Sequence, residues 1–81
     1  MNIVKIGNIE LTEAEATRLY EERRYLVTYS KIYELHWSNA QKRVYGSVIY
    51  RQPGLAKRGR FHAMTAEAVN HLINFSLLNI T

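Results

Sequence analysis

Tyr25-Leu26-Val27-Thr28-Tyr29-Ser30-Lys31-Ile32-Tyr33-Glu34-Leu35-His36-Trp37 is the stretch whose reading decides the fold. Tyr25, Val27, Tyr29, Tyr33, Leu35 and Trp37 alternate with Leu26, Thr28, Ser30, Glu34 and His36. Period two in β-branched and aromatic residues argues for a strand. The alternation slips at Lys31-Ile32, where a bulge or a break would restore the phase. The competing reading is a helix running on from upstream, because Leu19, Leu26, Ser30, Tyr33 and Trp37 also fall on one helical stripe. The strand reading is preferred for its composition, and it makes the chain α+β.

On the N-terminal side, Ile3, Val4, Ile6, Ile9 and Leu11 bracket Gly7-Asn8, a pattern for a short strand or tight hairpin. Thr12-Glu13-Ala14-Glu15 matches a capping box, with Thr12 as N-cap and Glu15 at N3. It opens a helix expected over Glu13 to Arg24, with Ala16, Leu19 and Tyr20 on one face. On the C-terminal side, Ser38-Asn39-Ala40-Gln41 reads as a turn and Lys42 to Gln52 as a returning strand. In that strand Val44, Gly46, Val48 and Tyr50 face one side, and Tyr45, Ser47, Ile49 and Arg51 the other. Pro53-Gly54 ends it. A basic loop, Leu55 to Gly59, and a short third strand over Arg60 to Met64 follow. Thr65 caps a closing helix through about Asn79, with Ala66, Val69, Leu72, Ile73, Ser76 and Ile80 inward. The expected architecture is one α+β domain over residues 1–81. It is a small antiparallel sheet with two helices on one face, in the order β-α-β-β-(β)-α.

Charge is unevenly placed along this frame. The chain of 81 residues carries a formal +4, yet Leu35 to Ala66 holds no acidic residue. That segment contains Lys42, Arg43, Arg51, Lys57, Arg58 and Arg60, with His36, Trp37, Tyr45, Tyr50 and His62 between them. A one-signed segment attracts polyanions or acidic protein surfaces. Lys42, Arg43, Tyr45, Arg51, Lys57, Arg58 and Arg60 are therefore the candidate contact residues. Arg and Lys would neutralise phosphates, and an exposed ring would stack on bases. The expected partner is nucleic acid or a nucleic-acid-processing protein complex.

Several classes are disfavoured. There is no Cys, so no disulfide framework or thiolate metal site can form. There is no Asp, the commonest carboxylate around catalytic Mg²⁺. His62, Glu67 and His71 can converge, but they lack the His-Glu-x-x-His spacing of a zinc site. No Walker loop or G-x-S-x-G elbow is present, and Ser30, Ser38 and Ser47 have no evident His–acid pairing in the sequence. A non-enzymatic binding protein without cofactor or metal is expected. No stretch is long and apolar enough to span a bilayer, and no secretory leader is read at the N-terminus. A cytoplasmic setting is expected. The unusually apolar last helix, with Phe75, Leu77 and Leu78 beyond its inward face, suits a core lid or a homodimer seam equally.

Two resemblances concern element order alone. Tyr33 to Trp37, Lys42 to Tyr50 and the helix opened by Met64-Thr65-Ala66-Glu67-Ala68 resemble, over residues 33–78, the three-stranded, one-helix arm-binding domain of phage-type integrases. From Thr12 the chain is similar in order to the α–β–β–β–α double-stranded-RNA-binding domain. That family places a Lys-rich cluster where this chain has Thr65-Ala66-Glu67-Ala68. In size, absence of Cys and absence of catalytic motifs, the chain also resembles small phage-encoded inhibitors, among them anti-CRISPR proteins. That likeness implies an alternative role, binding a host protein or nucleoprotein complex.

Overall fold

The computed structural model describes residues 2–80, with side chains as far as Leu78. Strand β1 (Ile3–Ile6) and strand β2 (Ile9–Thr12) form an antiparallel hairpin with Ile6 opposite Ile9. Gly7 takes φ 62 in its two-residue turn, a left-handed value that glycine adopts without strain. Helix α1 (Glu13–Glu21) starts directly behind it. The Thr12 hydroxyl accepts from the Glu15 N–H at 3.1 Å, and the Glu15 carboxylate accepts from the Thr12 N–H at 3.3 Å. The capping box is therefore complete, a device worth about 1 kcal/mol.

The helix stops at Glu21, three residues before the sequence expectation. Arg23 swings to φ 58, its N–H bonds to the Tyr20 carbonyl, and the Arg24 N–H bonds to the Leu19 carbonyl. This paired closure ends a helix and usually employs glycine at the left-handed position. It is why the helical reading of Tyr25 to Trp37 loses: the backbone has already left the helix when the alternating residues begin.

The deciding stretch is two strands. Strand β3 (Tyr25–Val27) turns through Tyr29-Ser30 into strand β4 (Lys31–Ser38). Thr28 and Lys31 close the turn: the Thr28 N–H bonds to the Lys31 carbonyl at 2.8 Å, and the Lys31 N–H bonds to the Thr28 hydroxyl at 3.1 Å. The slip expected at Lys31-Ile32 is thus a reversal of the chain. Strand β5 (Arg43–Arg51), strand β6 (His62–Met64) and helix α2 (Ala66–Ile80) complete the fold. The main sheet is antiparallel in the order β5-β4-β3-β6.

The element order is therefore ββαββββα, not β-α-β-β-(β)-α. The helices also lie on opposite faces of the sheet, not on one. Leu26, Tyr33, Leu35 and Val44 point to one face and join Val4, Ile6, Ile9, Leu11 and Ala16 in a core beneath the hairpin and α1. Val27 and Ile32 point to the other and join Val69 of α2, with Leu72, Ile73, Tyr50 and Leu55 packed around them. The adjacent residues Leu26 and Val27 are both fully buried, so β3 must be covered on both sides. A one-sided arrangement would leave one of them in water, at a cost of about 1.5–3 kcal/mol.

A register shift opposite Ile32/Tyr33 leaves Ile49 unpaired in β5. Val44, Gly46 and Val48 keep the expected common side, but the extra residue turns Tyr50 over to the α2 side, opposite Ile32. In α2, Val69 and Ser76 are buried, Leu72 and Ile73 half-buried, and Ala66 exposed. The expected inward role of Ile80 lies outside the described side chains. Phe75 and Leu77 are exposed, at 64% and 52%.

Candidate functional site

The seven candidate contact residues do not form one patch. Lys42, Arg43 and Tyr45 belong to the β4–β5 turn and the start of β5, whereas Arg51, Lys57, Arg58 and Arg60 lie at or beyond its other end. Along β5, Arg51 lies about 26 Å from Arg43 and about 20 Å from Tyr45.

At the loop end, residues 52–61 are tied to the β3–β4 turn. The Gln52 N–H bonds to the Ser30 carbonyl at 3.0 Å, and the Leu55 N–H to the Tyr29 carbonyl at 2.9 Å. Pro53-Gly54 reverses the chain, with Gly54 at φ 85. Arg60 then closes a second turn onto the Lys57 carbonyl, with Gly59 at φ 78. The Arg58 guanidinium lies 5.0 Å from the centre of the Tyr29 ring. Stacking holds such a group while its edge N–H donors stay able to meet a phosphate. Lys31 is the cross-strand partner of Arg51, so a fifth cation enters this end that the acid-free stretch does not contain. Among the described residues, none of these cations forms an ion pair.

Beneath the loop is a cleft of about 370 Å³ between the β1–β2 turn, the β3–β4 turn and the segment Gly59–Phe61. Asn8, Tyr29, Lys31, Tyr33, Arg60 and Phe61 are among its walls. Its one acid, Glu10, is drawn to Lys5 at 3.6 Å. Sequence reading passed over Phe61, Lys31 and Tyr29 as site residues. The available signal was an apolar ring, Phe61, set between Arg60 and His62 with no periodic partner.

The turn end is less positive. Lys42 and Arg43 share a shallow depression with Glu13 at the start of α1, and the Arg43 Nε donates to Gln41 Oε1 at 3.0 Å. The Lys42 N–H bonds to the Ser38 carbonyl, and its backbone is left-handed at φ 56.

A polar group that the sequence did not disclose sits on the same sheet side as Tyr45. The His36 Nε2 lies 2.9 Å from Glu34 Oε1 and 2.9 Å from Ser47 Oγ, and its ring stacks on Tyr45 at 5.3 Å. The Tyr25 hydroxyl donates to Glu34 Oε2 at 3.2 Å. Burial, and then the hydrogen bond to and charge of Glu34, raise the Tyr25 pKa above its ordinary 10.0. Ser, His and Glu together invite comparison with a nucleophilic triad. A triad needs acid and hydroxyl on different ring nitrogens, so that the base is oriented by one and takes a proton through the other. Here both approach Nε2, so the geometry provides no relay.

His62, Glu67 and His71 are all exposed, and no group of three potential metal ligands occurs among the described residues. No helix among them is long and apolar enough to cross a membrane. The order expected from the double-stranded-RNA-binding resemblance is not the observed one, since four strands separate the helices. Residues 31–80 do run strand, strand, strand, helix, but β3 stands between β4 and β6 in the sheet. No protein family, curated protein or solved structure matches the chain.

Proposed function

We propose that the chain is a non-enzymatic binding protein that associates with DNA or RNA through its loop end. One observation carries this reading: Lys57, Arg58 and Arg60 lie on a loop fixed by backbone hydrogen bonds, directly after Arg51 at the end of β5 and its cross-strand partner Lys31, with no carboxylate in ion-pair range among the described residues. Unpaired cations on an ordered loop release condensed counterions when they meet a phosphate backbone. The main chain of the loop is already held, so binding orders side chains and little backbone. Lys42 and Arg43, beside Glu13, are secondary contacts.

The reading is tested by gel shift at low salt with duplex and single-stranded oligonucleotides. Retardation that disappears in the Arg58→Ala/Arg60→Ala variant is expected. Absence of any retardation would overturn it.

A second reading, a phage-type inhibitor docking on a host protein or nucleoprotein complex, draws on the turn end. There Arg43, Tyr45 and His36 combine a guanidinium with exposed or half-exposed rings, a composition favoured at protein interfaces. A pull-down from nuclease-treated lysate tests it, and loss of every partner on digestion would count against it. Self-association through α2 is part of the proposal, supported by the exposure of Phe75 and Leu77. Light scattering behind size exclusion decides it.

A further inference from the structure

We propose that the cleft under the basic loop seats one unpaired nucleotide base, with Phe61 as the ring on which that base stacks. The chain then prefers single-stranded to duplex nucleic acid. The inference rests on the reading of the loop end as a phosphate-binding surface and adds to it the form of nucleic acid recognised.

Three observations carry it. First, Phe61 is 40% exposed and belongs to neither apolar cluster. It lines the cleft between Arg60 and His62, in the segment leading to β6. An open ring flanked by a guanidinium and an imidazole is the usual platform of single-strand binders, because every base offers a π-face while the backbone runs along the cations. Second, the cleft is the size of the smallest ligand sites, about 370 Å³. That is room for one base with part of its sugar. Tyr29 and Tyr33 form the aromatic part of its wall and Asn8 and Lys31 the polar part. Asn8 is exposed and its amide has no side-chain hydrogen bond to another described residue, which leaves it able to meet the edge of a base. Third, cations frame the cleft: Arg58 stacked on Tyr29 and Arg60 in the wall. They stand where the phosphates either side of an inserted nucleotide would pass. A base inside a duplex is stacked on both faces and would have to be extruded first, at a cost of a few kcal/mol, whereas a single strand presents it freely.

The experiment is fluorescence anisotropy at low salt. It uses a labelled oligothymidylate of about 15 nucleotides and a duplex of about the same length. Wild type, Phe61→Ala, Phe61→Tyr and Arg58→Ala/Arg60→Ala are compared, with thermal melts to establish that each is folded. The expected result is tighter binding of the single strand. Phe61→Ala should weaken it about fivefold to 150-fold and leave the duplex unaffected, and Phe61→Tyr should retain it. Equal binding of the two forms, or a Phe61→Ala variant that binds the single strand as wild type does, overturns the cleft proposal and leaves the phosphate reading standing. If neither oligonucleotide binds, the phosphate reading fails and the cleft proposal with it.

Discussion

Removing Arg58 and Arg60 should change how binding responds to salt as well as how tight it is. Each phosphate neutralised contributes about −0.9 to the slope of log K against log salt on B-form duplex. The loop end offers four exposed cations: Arg51, Lys57, Arg58 and Arg60. If all four engage, the slope is about −3.6, and affinity falls about 150-fold between 50 and 200 mM salt. The Arg58→Ala/Arg60→Ala variant keeps two, so its slope is about −1.8 and its loss over the same range about 12-fold. Anisotropy titrations on a labelled duplex across a chloride series measure both slopes. Lys42→Ala/Arg43→Ala provides the contrast, because those cations share their surface with Glu13 and should move the slope by less than one. Arg18→Ala, on α1 and facing Glu22 at 3.9 Å, should leave it unchanged. A wild-type slope shallower than about −1, or a loop variant with the wild-type slope, would refute the assignment of phosphate contacts to the loop.

Three further outcomes test the fold. A Cβ added at Gly7 would run into the Tyr33 hydroxyl and sit at φ 62, whereas one at Gly54 meets nothing. Gly7→Ala should therefore cost about 2–4 kcal/mol in urea denaturation and Gly54→Ala about 1, and equal costs would deny the packing of the hairpin turn on Tyr33. Leu26→Ala, at a fully buried position, should cost about 2–5 kcal/mol. The total for a chain of this length is about 4–12 kcal/mol, so a clear drop in melting temperature is expected, and an unchanged melt would contradict the two-sided burial of β3. For Tyr25, the raised pKa means that the neutral phenol is favoured in the folded state. Its contribution is complete below pH 10.0 and lost as pH climbs through the higher folded value. Between about pH 9 and pH 11 wild type should lose more stability than Tyr25→Phe in matched urea titrations, and identical losses would remove the link to Glu34.

How far the sequence could be read depended on whether a signal was local. The capping box at Thr12 and Glu15, the Gly7-Asn8 turn and the Pro53-Gly54 break each act through neighbouring residues, and each holds in the structure. The strand character of Tyr25 to Trp37 was legible from its alternation. Its reversal at Tyr29-Ser30 was not, because the turn is closed by the Thr28 hydroxyl and backbone, without glycine or proline. Placing both helices on one face failed for a related reason. Leu26-Val27 looks like ordinary alternation with one extra apolar residue, and only the tertiary structure reveals that both are covered. In the candidate site, the cations were visible as an acid-free stretch. Their division into two ends was not, since linear charge density does not register the length of a strand. Lys31 and Tyr29 escaped because they join the loop through strand pairing and chain reversal, across gaps in sequence that no motif spans, and Phe61, beside Arg60, because a lone apolar ring carries no periodic signal.

The unpaired Ile49 has a consequence for how this protein can vary. Val48 already faces Tyr33 and Tyr50 already faces Ile32, so the ladder between β4 and β5 is complete without it. A bulge bends its strand and adds twist, and here it does so just before Arg51 and the loop that follows. A residue that contributes nothing to strand pairing thus bends the strand just ahead of a loop that Gln52 and Leu55 tie to the β3–β4 turn. Deletion at this one position would remove the bulge while every cross-strand partner stayed the same. The bend is carried by an exposed residue, between a Val48 turned to one core and a Tyr50 turned to the other.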